Sequence, residues 1–194
     1  MSTRAEQREQ TRRALLTEGR RRFAADGYGA VVFDDVAKAV GVTKGAAYHH
    51  FGSKLGLFTA VVRQAQEDLG ERVAAAADAV ADPWESFLAG CRAFLTAGAD
   101  PGIRRIVLVD APVVLGWNEW REIDDSSSAR HLGEALCGLM TDGVIASRPL
   151  TPLTRLLSGA MNEAAVGLAR EPAEYGLDET VAALEGLLRG LRIP

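Results

Sequence analysis

Two short apolar-patterned segments, DDVAKAV (34–40) and KGAAYHH (44–50), are separated only by Gly41-Val42-Thr43. Gly41 suits a left-handed turn residue, and the Thr43 hydroxyl can satisfy free amides at the start of the next helix. Two helices this short, joined by a three-residue turn containing glycine, make a helix-turn-helix. That commits the front of the chain to helix-on-helix packing.

The rest of the 194-residue chain agrees. Alternating apolar–polar runs are absent, whereas apolar residues recur at spacings of three and four. A first helix is expected over about 6–26, with Leu15, Leu16, Gly19 and Phe23 on one stripe and Gly27 as its stop. Beyond Gly52, Ser53 can cap a long helix to about Val80. Pro83 and Pro101 suit first helical positions, starting helices to about 97 and 110. Past Pro112 and Gly116 one long helix is expected over about 117–141, followed by helices over about 151–170 and 178–191. Connections are short. The expected fold class is all-α: a three-helix N-terminal unit (1–52) joined by a long helix to a helical body (53–194).

Charge divides the chain in the same place. Residues 1–63 hold eleven Lys and Arg against six acids, a balance of +5; residues 64–194 hold eleven against twenty, or −9. A basic front on an acidic rear points to a nucleic-acid-binding head on a different kind of body. The longest stretch without a formal charge is nine residues (45–53), well short of the roughly 20 that a membrane helix needs. MSTRAEQREQTRR has no apolar core, so no secretory signal is expected. Cys91 and Cys137 stand apart, with neither Cys-x-x-Cys spacing nor a neighbouring His pair. They read as small buried hydrophobes in a reduced cytoplasm, and no metal or cofactor is expected.

In a helix-turn-helix the second helix lies in the major groove with its first residues facing base edges. Here these are Thr43, Lys44, Gly45 and Ala46. Lys44 can donate to guanine or to phosphate. Gly45 and Ala47 allow close backbone approach, and Thr43 or Ala46 can touch a thymine methyl. Tyr48, His49 and Lys54 can donate to phosphate oxygens. The alternative is that Tyr48 is a half-buried packing residue and the histidines are solvated surface.

The ordered pattern across GYGAVVFDDVAKAVGVTKGAAYHHFGSKLGLF (27–58) resembles the DNA-binding domain of the tetracycline-repressor (TetR) family of transcriptional regulators. The resemblance covers about residues 10–60. It implies a homodimer with two recognition helices on double-stranded operator DNA, usually a repressor released by a small molecule. By the same resemblance, Thr43, Lys44, Tyr48, His49 and Lys54 fall on DNA-contacting positions, and Val36, Ala37, Phe51 and Leu57 on core positions. The body becomes a helical ligand-binding and dimerisation domain. One departure stands out: the family usually has Ser or Thr before the second helix, where this chain has Val31-Val32. Either Asp34 caps that helix or the unit binds DNA with one contact fewer.

For the body, Trp84, Phe87, Cys91 and Phe94 share one helix, Trp117, Trp120 and Met140 lie on or near the long helix, and Met161 on the next. Each reads singly as core; together they suggest a pocket for an unidentified ligand. Asp110 ends an apolar run and, if buried, needs a partner. It either meets a ligand, caps the Pro112 turn or pairs with Arg104 or Arg105. Asn162 and Glu163 interrupt an apolar helix and suit the pocket or a subunit seam. Leu132, Leu136 and Leu139 with Leu153, Leu156 and Leu157 suit a four-helix bundle between two copies, through helices near 125–141 and 152–170, or burial within one. A ligand-independent regulator or an activator remains as an alternative. A small helical enzyme is disfavoured, because Cys91, Cys137 and His131 have no evident triad or metal set.

Overall fold

The computed structural model describes residues 3–170 and 176–193. Helix α1 (Arg4–Ala30) opens on a reciprocal cap: the Thr3 side chain accepts from Glu6 N, and the Glu6 carboxylate accepts from Thr3 N. Leu15, Leu16, Gly19 and Phe23 are buried along its expected stripe. Gly27 interrupts the helix with φ +80°, and a Cβ there would come within 2.9 Å of Arg105 Nη2. The expected stop is a kink, with helix resuming to Ala30.

Helices α2 (Phe33–Ala39) and α3 (Lys44–Phe51) flank the predicted turn, with Gly41 at φ +74° and the Thr43 hydroxyl accepting from Ala46 N at 3.2 Å. Val36, Ala37 and Ala47 bury the inner faces. Helix α4 (Lys54–Asp78) is capped by Ser53, whose hydroxyl accepts from Gly56 N at 3.0 Å. It packs closely on α1: a Cβ added at Gly19 would lie 3.0 Å from a Leu57 methyl. Phe23, Tyr28 and Phe58 join the two helices, with the Phe23–Phe58 rings 5.0 Å apart edge to face and the Tyr28–Phe58 rings 4.9 Å apart.

The body continues with α5 (Pro83–Gly98), capped by Asp82, and α6 (Pro101–Ile103), capped by Asp100. From Arg104 to Asp110 the chain is π-helical, before α7 (Ala111–Val114). The amide of Ala111 reaches back five residues to Ile106 O, and Pro112, which follows, has no amide to place.

The single helix expected over 117–141 is in fact two, α8 (Trp117–Asp125) and α9 (Ser128–Thr141). Three consecutive serines cause the break by bonding outside the helical ladder. Ser126 Oγ donates to Ile123 O, Ser127 Oγ to Gln66 O, and Ser128 Oγ to the Asp124 carboxylate. Helices α10 (Leu150–Arg170) and α11 (Leu177–Arg189) complete the body, and a bridge between Ile145 and Arg192 ties the segment after α11 to the α9–α10 connection. Helix α4 is the shared element. It packs on α1, α5 and α9.

Candidate nucleic-acid interface and ligand cavity

The exposed start of α3 carries the residues singled out for DNA. Thr43, Lys44, Gly45, Tyr48 and His49 are exposed, and Ala46 is half-buried. Lys44 Nζ lies 2.8 Å from Asp34 Oδ2 and 5.4 Å from the centre of the Tyr48 ring. The hydrogen bond and charge of Asp34 hold the Lys44 ammonium above its ordinary pKa. Tyr48 leans on Phe33, ring centres 4.9 Å apart, and remains 40% exposed. It is both a packing residue and an accessible donor.

Lys54 is placed differently from a surface phosphate ligand. Its ammonium turns inward to Tyr28 O at 2.8 Å and Val31 O at 2.9 Å, and lies 4.3 Å from the centre of the Tyr28 ring. The kink at Gly27 leaves carbonyls at the end of α1 without helical partners, and Lys54 supplies the donors. Asp34 does not cap α2. The N-cap is Val32, with no side-chain hydrogen bond, and Asp34 pairs with Lys44 instead.

The arginine run of α1 is largely paired. Glu18 receives Arg21 through two bonds of 2.8 Å and Arg22 Nε at 2.6 Å, while Arg20 pairs with Asp68 on α4. The Arg21 hydrogen bonds, with the Arg22 bond and both positive charges, hold the Glu18 carboxyl down at about 2 against the cost of burial. Arg12 lies over the Phe51 ring at 5.7 Å.

In the body, a cavity of about 260 Å³ lies between α4, α5, α9 and α10. Phe87, Cys91, Phe94 and Met161 line it. The other expected pocket residues lie elsewhere. Trp84 is buried under Arg192, 5.0 Å from its ring centre. Trp120 is buried with its Nε1 donating to Val107 O at 2.7 Å, whereas Trp117 is 63% exposed. Met140 packs against the core, and Asn162 donates to Ser158 Oγ at 3.5 Å from behind the wall. Asp110 is at the head–body joint, where its Oδ2 accepts from Tyr28 N at 2.8 Å. It pairs with neither Arg104 nor Arg105. Arg105 instead donates to Ala25 O and Asp26 O at 2.7 and 3.1 Å.

Residues not singled out in advance complete the wall. Ser128, His131, Leu132 and Leu139 come from α9, Ser158 from α10, and Val73 and Ala77 from α4. Behind the serines stands a buried polar cluster centred on Asp124, 1% exposed, with Arg121 Nη1 at 2.7 Å and Gln66 Nε2 at 3.4 Å. Only the serine triplet hinted at it, since Gln66 and Asp124 are 58 residues apart in the chain. Burial pushes the Cys91 thiol up to about 12, so it is a neutral wall group rather than a nucleophile. Among the described residues no cluster of His, Cys, Asp and Glu is arranged to hold a metal ion, and no helix is long and apolar enough to cross a membrane.

Residues 15–61 match the family described as bacterial regulatory proteins, tetR family, and residues 84–191 match tetracyclin repressor-like, C-terminal domain. The chain belongs to the TetR family of transcriptional regulators. A TetR-family regulator from Pectobacterium atrosepticum superposes with a TM-score of 0.82 at 38% identity, covering 100% of this chain and 99% of that one. The transcriptional repressor AcnR of Corynebacterium diphtheriae is 29% identical over 169 residues, 86% of this chain and 88% of that protein. RolR, solved with resorcinol, shares the fold at 20% identity, with a TM-score of 0.72 over 93% of this chain and 88% of that one. With the exposed α3 in place, this TetR-family chain is a DNA-binding transcriptional regulator.

Proposed function

We propose that this protein is a homodimeric repressor that leaves its operator when a small molecule fills the body cavity. The observation that carries the reading is the course of α4. The helix places Lys54 against the kink of the DNA-binding head, and 19 residues later places Val73 in the cavity wall. At 1.5 Å per residue this is a rigid connection of roughly 28 Å. A ligand that displaces the far half of α4 moves the frame that holds α3.

In this reading α3 enters the major groove. Thr43, Lys44, Gly45 and Ala46 meet base edges, while Tyr48 and His49 meet phosphate. The dimer forms through α10 and α11. The apolar face of α9 is used within the protomer, with Leu136 and Leu139 buried and Leu132 in the cavity wall. By contrast, Leu156 on α10 and Leu187 on α11 are 73% and 72% exposed, beside the small exposed residues Gly159, Ala160, Ala183 and Gly186. Those faces suit a four-helix seam between two copies.

The test is binding of the full-length protein to duplexes from the DNA flanking its own gene, followed by fluorescence anisotropy across a salt series. Expected are a partly palindromic site, with half-sites about one helical turn apart or slightly more, and affinity falling steeply with salt. Salt-insensitive binding, or no preference among sequences, overturns the reading. Release by a compound that also raises the melting temperature supports the ligand-dependent part.

A further inference from the structure

The hydroxyl protons around the cavity all point into the protein. Ser128 and Ser158, each 6% exposed, place their hydroxyls on opposite oxygens of Asp124, at 2.9 Å from Oδ1 and 3.1 Å from Oδ2. Asp124 pairs with Arg121 Nη1 at 2.7 Å, and a carboxylate in an ion pair only accepts. Ser158 therefore gives Asp124 its one proton, and Ser128 turns its proton inward between two acceptors, Asp124 Oδ1 at 2.9 Å and Gln66 Oε1 at 3.1 Å. Ser158 Oγ also receives Arg121 Nη1 at 3.1 Å and Asn162 Nδ2 at 3.5 Å, which fills its acceptor capacity. Among the described residues no donor reaches Ser128 Oγ, so its lone pairs are open.

The remaining polar wall groups follow the same pattern. Ser86 Oγ donates to Ala77 O at 2.8 Å. His131 Nε2 faces Arg130 Nη2 at 3.3 Å, and because a guanidinium only donates, that nitrogen accepts. The Nδ1 of His131 lies 3.5 Å from Glu134 Oε2. The Cys91 thiol is left as a weak donor. No Lys or Arg is among the lining residues, and Asp78, exposed at the end of α4, puts a carboxylate at the mouth.

We propose that the cavity takes a compact, uncharged ring compound bearing a hydroxyl, which donates its hydrogen bond to Ser128 Oγ. The proposal rests on the cavity being the effector site. A carboxylate ligand would be desolvated with no cation to meet it. An ammonium would find only the rim carboxylate, since Asp124 is already bonded to Arg121, Gln66 and both serines. The volume sets the scale: roughly 150 Å³ holds one benzene ring, so 260 Å³ accepts a fused pair.

The experiment measures calorimetric binding of naphthalene, 1-methoxynaphthalene, 1-naphthol, 1-naphthoate and 1-naphthylmethylammonium to the full-length protein and to Ser128→Ala. Expected is 1-naphthol binding about tenfold tighter than either neutral analogue without a donor, with no saturable binding of the two ions. In Ser128→Ala, 1-naphthol falls to the level of naphthalene while naphthalene is still bound, which shows that the variant is folded. The wild-type ranking stands alone if the variant does not fold. Equal binding of the three neutral compounds, or tightest binding of either ion, overturns the proposal and leaves the cavity as the effector site. Binding of none, naphthalene included, overturns both.

Discussion

The Asp110 carboxylate accepts the backbone amide of Tyr28 at 2.8 Å, joining residues 82 positions apart. Beside it, Arg105 holds the carbonyls of Ala25 and Asp26, so both sides of the Gly27 kink are bound by one π-helical stretch of the body. The head is thus hydrogen-bonded to the body through its own backbone. Asp110→Ala leaves that amide without its ionic acceptor and should cost about 1–2 kcal/mol in a denaturant titration. Arg105→Ala should act in the same direction. If the joint carries the ligand response, both variants bind operator with a diminished shift on adding ligand. An unchanged unfolding midpoint together with an unchanged ligand shift would mean that the joint is not a coupling element.

Lys54 discriminates two roles cleanly. A phosphate ligand removed by Lys54→Ala would lower the slope of log affinity against log salt by about one. The inward ammonium predicts a different outcome: the slope is retained and the melting temperature falls, because the carbonyls of Tyr28 and Val31 lose their donor. Lys54→Arg should recover part of the loss in stability. Thermal melts and anisotropy titrations on the same samples decide between the roles.

The contrast between Lys54 and Thr43 shows what a sequence makes legible. Thr43, Gly41 and the short helices around them act through neighbours a few positions away, so the turn, the cap and the exposed start of α3 could all be read from local chemistry. Lys54 and Asp110 depend on a kink far away in the chain, and nothing local tells an inward lysine from an outward one. The cavity divides in the same manner. Phe87, Cys91 and Phe94 are at helical spacing on one element, whereas Ser128 and Ser158 become neighbours only through Asp124. Trp117 and Trp120 lie away from this cavity, because a tryptophan's size says that it contacts something, not that it contacts a cavity.

Glu18 predicts an acid limb in stability. Its folded pKa is lowered to about 2 by Arg21 and Arg22, below the ordinary 4.5. A carboxyl whose folded pKa is depressed contributes stability above its unfolded pKa, and loses it as pH falls towards the folded value. The contribution should therefore be complete above about pH 4.5 and decline towards pH 2. Glu18→Gln should flatten the pH dependence of the unfolding midpoint in that window relative to wild type. Parallel curves for the two proteins would show that the Arg21–Glu18 pair adds nothing measurable, as exposed pairs often do.

The faces left open on α10 and α11 make the subunit seam testable without disturbing either protomer. Leu156 and Leu187 are mostly exposed, so Leu156→Arg and Leu187→Glu remove little intramolecular packing and should leave the helical circular dichroism unchanged. At a symmetric seam each charge is buried twice, once from each copy, and has no designed partner there. Sedimentation should show a dimer for wild type and a monomer for each variant. Operator affinity should fall by several orders of magnitude, as expected when two linked half-site contacts become independent. A charge swap also separates α10–α11 pairing from self-pairing of each helix. If Leu156 and Leu187 face each other across the seam, the double variant restores part of the dimer. If each faces its own copy, the double variant is as monomeric as the singles. Retention of the dimer in both single variants would place the seam elsewhere, the first alternative being the exposed side of α9 around Glu134, Cys137 and Gly138.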